Sequence, residues 1–206
     1  MNEIKAIGFD FFNTLMTIDP AALGESWQRL TVSLKESGLR VDPDPFRQAY
    51  REAALRFVAE SKSTGRETHN RFWISAALAA LGQEVDPDDA VISKAVEAYF
   101  STFFDYCRLI PKTIEMLGQL EGKYRLGILS NFTHGPTVDR LLDQLGLTPF
   151  FATVLVSGKI GYRKPHPLVF EMLVKNLGFE KQQILYVGDS LEIGRASCRE
   201  RVYSGV

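Results

Sequence analysis

Four short apolar runs set the terms on which this chain can fold: residues 4–9, 125–129, 153–156 and 184–187. Each has the length of a strand. The first, Ile4-Lys5-Ala6-Ile7-Gly8-Phe9, is stopped by the turn-forming Asn13 and reads as a strand buried in a parallel sheet. Stretches of helical periodicity precede the other three runs, at 113–120, 136–145 and 167–177. Strands separated by helices of about 10–15 residues imply βαβ units and a parallel sheet. The expected fold class is therefore α/β.

Between the first run and the second the rhythm changes. Trp27, Leu30 and Leu34, then Phe46, Tyr50, Ala53 and Phe57, recur at helical spacing. The intervening stretch 38–45 reads as a loop that ends with Asp44 capping the second helix. A third helix is expected over 69–81, stopped by Gly82, and a fourth after Asp86-Pro87 with Pro87 in its first turn. No strand is needed here. Residues 19–105 are thus expected to form an all-helical insert in a core built from 1–18 and 106–192. The last stretch, 193–206, breaks the pattern, with charges and no apolar stripe where a further helix and strand would complete the sheet. It resembles tails that truncated gene models acquire from vector sequence, so the C-terminal part of the core is expected to be truncated, the natural chain departing near Glu192.

A chain of 206 residues suffices for one core plus a smaller insert. Its 45% apolar and 24% charged content is ordinary, and a net charge of -1 gives no electrostatic case for nucleic acid or an anionic membrane. The N-terminus lacks a charged-then-apolar leader and no apolar stretch approaches about 18–20 residues, so a cytoplasmic location is expected. Cys107 and Cys198 make neither a disulfide framework nor a metal motif. Oligomeric state is not encoded in any feature of this kind.

Polar residues gather where the strands end. Asp10 closes the first run, Ser130-Asn131 the second and Gly188-Asp189-Ser190 the last, while Lys164 follows a loop after the third. Open α/β folds bind their ligands at that carboxyl edge. A carboxylate there can attack phosphorus or carbon and form a covalent intermediate, dividing one hard step into two easier ones. Thr14 and Ser130 offer hydroxyls, and Asn131 an amide, for a phosphoryl oxygen. Lys164 offers a point charge to the carboxylate and the transferred group. Asp189 is the best metal ligand, since magnesium takes oxygen donors and needs only one or two protein carboxylates besides a substrate phosphate.

These residues carry a resemblance. Phe9-Asp10-Phe11-Phe12-Asn13-Thr14-Leu15 resembles the first motif of the haloacid dehalogenase superfamily of hydrolases. Ser130-Asn131, Lys164-Pro165-His166-Pro167 and Gly188-Asp189-Ser190 resemble its second, third and fourth, in that order. The resemblance runs from residue 4 to about 191 and implies a Rossmann-like core with a helical cap inserted after the first strand. It implies Asp10 as nucleophile with Lys164 beside it, and Thr14, Ser130 and Asn131 as substrate-binding residues. It further implies Mg2+ held by Asp10, Asp189 and the backbone carbonyl of Phe12.

Two positions depart from the family pattern. Phosphatases of this family carry a second Asp two residues after the nucleophile, where it protonates the leaving oxygen and later activates water; here that residue is Phe12. Loss of a general acid/base costs about 10²–10⁴-fold in rate, and His134 and His166 are the candidates to replace it. Haloacid dehalogenases proper also place an aromatic residue there. They use no metal, however, lack the pair kept here as Gly188-Asp189, and receive halide on an Arg, for which Arg29 is the candidate. The fourth motif also normally continues to a further acidic residue, and Glu192 is close but early.

The leading expectation is a magnesium-dependent phosphatase acting on a small phosphorylated metabolite through an aspartyl-phosphate at Asp10. One alternative is a metal-independent 2-haloacid dehalogenase working through an aspartyl ester on a halogenated substrate; the other is a catalytically silent binding protein. Trp27, Phe72 and Trp73 are candidates to line a cap pocket, although aromatic residues at helical spacing are more often core.

Overall fold

The computed structural model describes residues 3–189, so Ser190, Glu192, Cys198 and the 193–206 tail lie outside the described residues. In chain order the elements are β1 (Ala6–Phe9), β2 (Met16–Ile18), α1 (Ala21–Glu36), α2 (Pro43–Thr64), α3 (Asn70–Ala80), α4 (Ala90–Tyr106), β3 (Cys107–Leu109), α5 (Thr113–Leu120), β4 (Arg125–Ser130), α6 (Gly135–Gln144), β5 (Thr153–Val156), α7 (Ser157–Ile160), α8 (Pro167–Leu177) and β6 (Ile184–Val187). They group into two compact units, a helical one of Asp19–Tyr106 and an α/β one made of the residues on either side.

The α/β unit is built on an all-parallel sheet in the order β5-β4-β1-β6, as the βαβ rhythm predicts. Its strand order reverses beside β1, which puts a ligand crevice at the carboxyl end of that strand. On one face, α8 lays Val169, Leu173 and Leu177 against Ala6, Leu129 and Leu155. Two mid-strand glycines set how close this packing comes. Gly8 pairs in register with Gly127 on one side and Tyr186 on the other. A Cβ at Gly8 would stand 2.6 Å from Leu173 and 3.2 Å from the Tyr186 ring. Without one, the Tyr186 ring lies against β1, and its hydroxyl reaches β4.

The chain leaves this unit through β2 and returns through β3, which pair antiparallel from Met16↔Leu109 to Ile18↔Cys107. Runs of three residues are too short for periodicity to register, and the sequence does not announce this ribbon. Buried Cys107 sits in it, its thiol pKa pushed up to about 12 by burial, which makes it inert packing rather than chemistry.

In the helical unit α1 packs on α4 and α2 on α3, with Leu30, Leu34, Ile74, Leu78 and Ile92 fully buried. Trp27 meets Phe46, Tyr50 and Tyr99 edge-on, and Trp73 meets Tyr50. These two tryptophans therefore belong to the unit's own aromatic packing, while Phe72 is partly exposed beneath the Arg71 guanidinium.

Two helix starts differ from expectation. Asp42, not Asp44, precedes the first turn of α2, because Pro43 with its fixed φ takes the first helical position and leaves Asp44 inside that turn. Likewise α4 begins at Ala90, where Asp89 Oδ1 accepts the Val91 N–H at 2.8 Å. Pro87 stands earlier, in a turn held by Asp86 Oδ1 and the Asp88 N–H. Among the described residues no helix is long and apolar enough to cross a membrane.

Candidate active site

Asp10 leaves the end of β1 with its N–H still donating to Val187 O at 2.8 Å. The carboxylate is therefore fixed at the sheet edge beside the end of β6. Its Oδ1 accepts the N–H of Phe11 at 2.8 Å and its Oδ2 pairs with Lys164 Nζ at 2.7 Å. The chain then turns sharply through Asn13, whose φ of 59° is one that Asn tolerates better than most residues. Bonds from Asn13 N–H to Met16 O and from Leu15 N–H to Phe11 O close the turn. Thr14 sits inside it with its hydroxyl buried and without a partner among the described residues.

Lys164 is 3% exposed, so its ammonium has to find partners within the protein. Among the described residues it has two: the Asp10 carboxylate and, at 2.8 Å, the hydroxyl of Tyr186, which itself donates to Leu129 O at 3.1 Å. Burial lowers the Lys164 pKa, and the charge and hydrogen bond of Asp10 oppose that shift, as does the charge of Asp189. Burial also raises the Tyr186 pKa, helped by the negative charges of Asp10 and Asp189. Sequence reasoning missed Tyr186. The available signal was the mid-strand Gly8, which clears room for a large ring on the neighbouring strand, together with the need of a buried phenol for a partner.

Asn131 follows β4 and clamps the Lys164 peptide from both sides: Nδ2 donates to Lys164 O at 2.9 Å and Oδ1 accepts the Lys164 N–H at 2.7 Å. One Nδ2 hydrogen and Oδ1 are thereby committed to placing the lysine, a use that the expectation of an amide on a phosphoryl oxygen did not include. Ser130, 1% exposed, keeps a buried hydroxyl without a partner among the described residues. An unpaired buried hydroxyl costs about 1–3 kcal/mol. Thr14, in the turn after β1, and Ser130, at the end of β4, each carry such a hydroxyl.

Asp189, exposed, follows Gly188 at the end of β6. A Cβ on Gly188 would lie 3.3 Å from Asp10 Cβ and 3.7 Å from its Oδ2, so this backbone runs directly along the Asp10 carboxylate. Phe12 turns its ring onto Phe132, stacked at 4.6 Å with 11° between planes, and meets Phe11 edge-on at 5.1 Å. Phe132 is held in turn by its N–H to Ser157 Oγ at 2.8 Å and by its carbonyl, which accepts the Gly158 N–H at 3.0 Å.

The two candidate proton donors have structural work. His134 is buried with Nδ1 on the Thr137 hydroxyl at 2.8 Å. His166 caps α8, its Nδ1 accepting the Leu168 N–H at 3.2 Å, and its ring rests on Tyr162. Arg29, the halide candidate, has its guanidinium spent inside the helical unit on Glu25 at 3.0 Å, Asp105 at 2.8 Å and Ser101 at 2.9 Å. Two carboxylates on one cation leave little positive field for a halide.

The comparisons point the same way as the motifs. A profile of haloacid dehalogenase-like hydrolases matches residues 4–199. The glyceraldehyde 3-phosphate phosphatase of Methanopyrus kandleri is 31% identical over 191 residues, covering 92% of this chain and 77% of that protein. The ribulose-1,5-bisphosphate 5-phosphatase of Halopiger xanaduensis is 28% identical over 189 residues, covering 91% and 77%. The crystal structure of a 2-haloacid dehalogenase from Pseudomonas syringae is similar at a TM-score of 0.70 and 22% identity, covering 94% of this chain and 82% of that one, a likeness of fold. With the profile match extending over nearly its whole length, the chain belongs to the haloacid dehalogenase-like hydrolases.

Proposed function

We propose that this protein is a magnesium-dependent hydrolase of small phosphorylated metabolites that works through an aspartyl-phosphate at Asp10. The observation that carries the reading is the 2.7 Å pairing of Lys164 Nζ with Asp10 Oδ2, on an edge where β6 delivers a second acidic residue. The lysine aims the carboxylate, and its charge remains available to the transferring phosphoryl group. The orphaned hydroxyls of Thr14 and Ser130 take phosphoryl oxygens, and Asn131 acts through Lys164. The helical unit is assigned the part of a cap that shapes substrate choice.

The residues present suit magnesium. Among the described residues no group of three or more His, Cys, Asp or Glu side chains assembles, which disfavours zinc and other metals with fuller protein cages. The negative charges of Asp10 and Asp189 both reach Lys164 and Tyr186, and these carboxylates with the Phe12 carbonyl form an oxygen-only set of the kind magnesium accepts. Bound there, the cation would neutralise charge on the phosphoryl oxygens.

Phe12 is the feature that favours the dehalogenase alternative, and the neutralised Arg29 and retained Asp189 weigh against it. Purified protein should release phosphate from an aryl phosphate with magnesium and stop on chelation. Chelator-insensitive halide release from a 2-haloacid, without phosphatase activity, would instead establish the alternative.

A further inference from the structure

Resting on the aspartyl-phosphate reading, we propose that Tyr186 is a positioning residue for phosphoryl transfer. It acts through Lys164, and the bare backbone of Gly8 is what seats it there. The strand pair that leads to Asp10 and Asp189 also carries Gly8 and Tyr186, paired in register. The Tyr186 ring is located from three sides. Gly8 leaves space on β1, Phe170 of α8 meets the ring edge-on at 5.6 Å, and the hydroxyl donates to Leu129 O of β4 at 3.1 Å. That last bond commits the one proton of the phenol, so toward Lys164 its oxygen acts as an acceptor.

An ammonium has three protons to place. Lys164, 3% exposed, directs one at Asp10 Oδ2 at 2.7 Å and another at the Tyr186 oxygen at 2.8 Å. Two fixed acceptors, one following β1 and one on β6, define where Nζ stands, which a flexible four-carbon stem alone would not. The third proton goes to an oxygen of the transferring phosphoryl group, and it is aimed there only while the other two are held. A neutral acceptor suits this place, because a second carboxylate would spend the charge that the phosphoryl group needs. Gly8 is the condition for the arrangement. A Cβ there would stand 3.2 Å from Tyr186 Cδ2, so the ring would have to shift, and 2.6 Å from a Leu173 methyl that can turn away. Gly127 is crowded as well, its Cβ position lying 2.9 Å from Thr153 and 3.2 Å from Leu173 and Leu177, but these neighbours do not include Tyr186.

Three measurements on the full chain test this. With magnesium and an aryl phosphate, Tyr186→Phe should lower kcat about tenfold in the wild-type background but by less than about twofold in Lys164→Met, because its effect passes through the lysine. Equal losses in both backgrounds, or none in the first, overturn the proposal. Gly8→Ala should lower the kcat of the folded enzyme several-fold with KM little changed, whereas Gly127→Ala should lower Tm alone. Equal kcat for these two variants overturns the proposal, and the pair decides if Lys164→Met is too slow to measure or Tyr186→Phe fails to fold. Without metal or substrate, a lysine-selective nitrogen–proton NMR spectrum identifies the buried ammonium by its loss in Lys164→Met. That signal should shift in Tyr186→Phe, and an unmoved signal overturns the proposal. Wild-type turnover that Tyr186→Phe leaves undiminished removes this inference and keeps the phosphatase reading. Absence of magnesium-dependent phosphate release from the wild type removes both.

Discussion

Tyr186 joins two strands and the Lys164 ammonium through one hydroxyl. It accepts from Lys164 and donates to Leu129 O, so the lysine head is held from β6 and β4 as well as by Asp10. Tyr186→Phe keeps the ring over Gly8 and deletes that link alone. We expect a stability loss of about 1–3 kcal/mol in denaturant titration, from the lost bonds to a charged donor and a buried carbonyl. In the folded variant kcat should also drop about tenfold, the equivalent of roughly 1.4 kcal/mol in the transition state, with KM little changed. A drop in stability with unchanged kcat would make Tyr186 a packing residue only. At this scale Asp10, Lys164 and Asp189 are legible in the sequence because each follows an apolar run or a turn that places it at the sheet edge. Tyr186 is not, because a tyrosine inside a strand reads as core until its neighbours across the sheet are known. Asn131 is legible as a polar strand end, whereas its clamp on a peptide 33 positions away depends on the tertiary fold.

Among the elements, the loop after β4 and the start of α7 meet backbone to backbone. Gly158 packs so closely on that loop that a Cβ would stand 2.2 Å from Thr133 O and 2.8 Å from Phe132 O, both backbone atoms that cannot swing aside. Gly158→Ala should cost about 1–3 kcal/mol or more, as overpacking does, seen as a lower Tm. Because Phe132 is the partner on which Phe12 stacks, phosphatase activity should fall with it. An unchanged Tm would mean that this contact relaxes freely. Helices bounded by Pro and Gly are read well from the sequence, α8 running from Pro167 to Leu177 with Gly178 at φ 74° just beyond it. The ribbon of β2 and β3 and the single turn of α7 escape, being shorter than any periodicity they contain. The misplaced starts of α2 and α4 share a cause: where several Asp and Pro residues crowd together, the sequence permits more than one cap and the local hydrogen bonds choose.

For the whole molecule, the alternation of strand and helix from residue 113 onward is enough to predict the parallel sheet, and the sheet order β5-β4-β1-β6 then brings Asp10 and the Gly188-Asp189 pair to one edge. The strand order itself is not written in any local pattern, since it arises from which faces bury best together. The account depends most on Asp10 becoming covalently phosphorylated. Acid quench of the enzyme during turnover of an aryl phosphate with magnesium, followed by borohydride or hydroxylamine mapping and mass spectrometry, measures this directly. The account predicts a phosphoryl label on the peptide containing Asp10, at most one per chain and absent in Asp10→Asn. Full turnover with no label on Asp10, or undiminished turnover by Asp10→Asn, would contradict it.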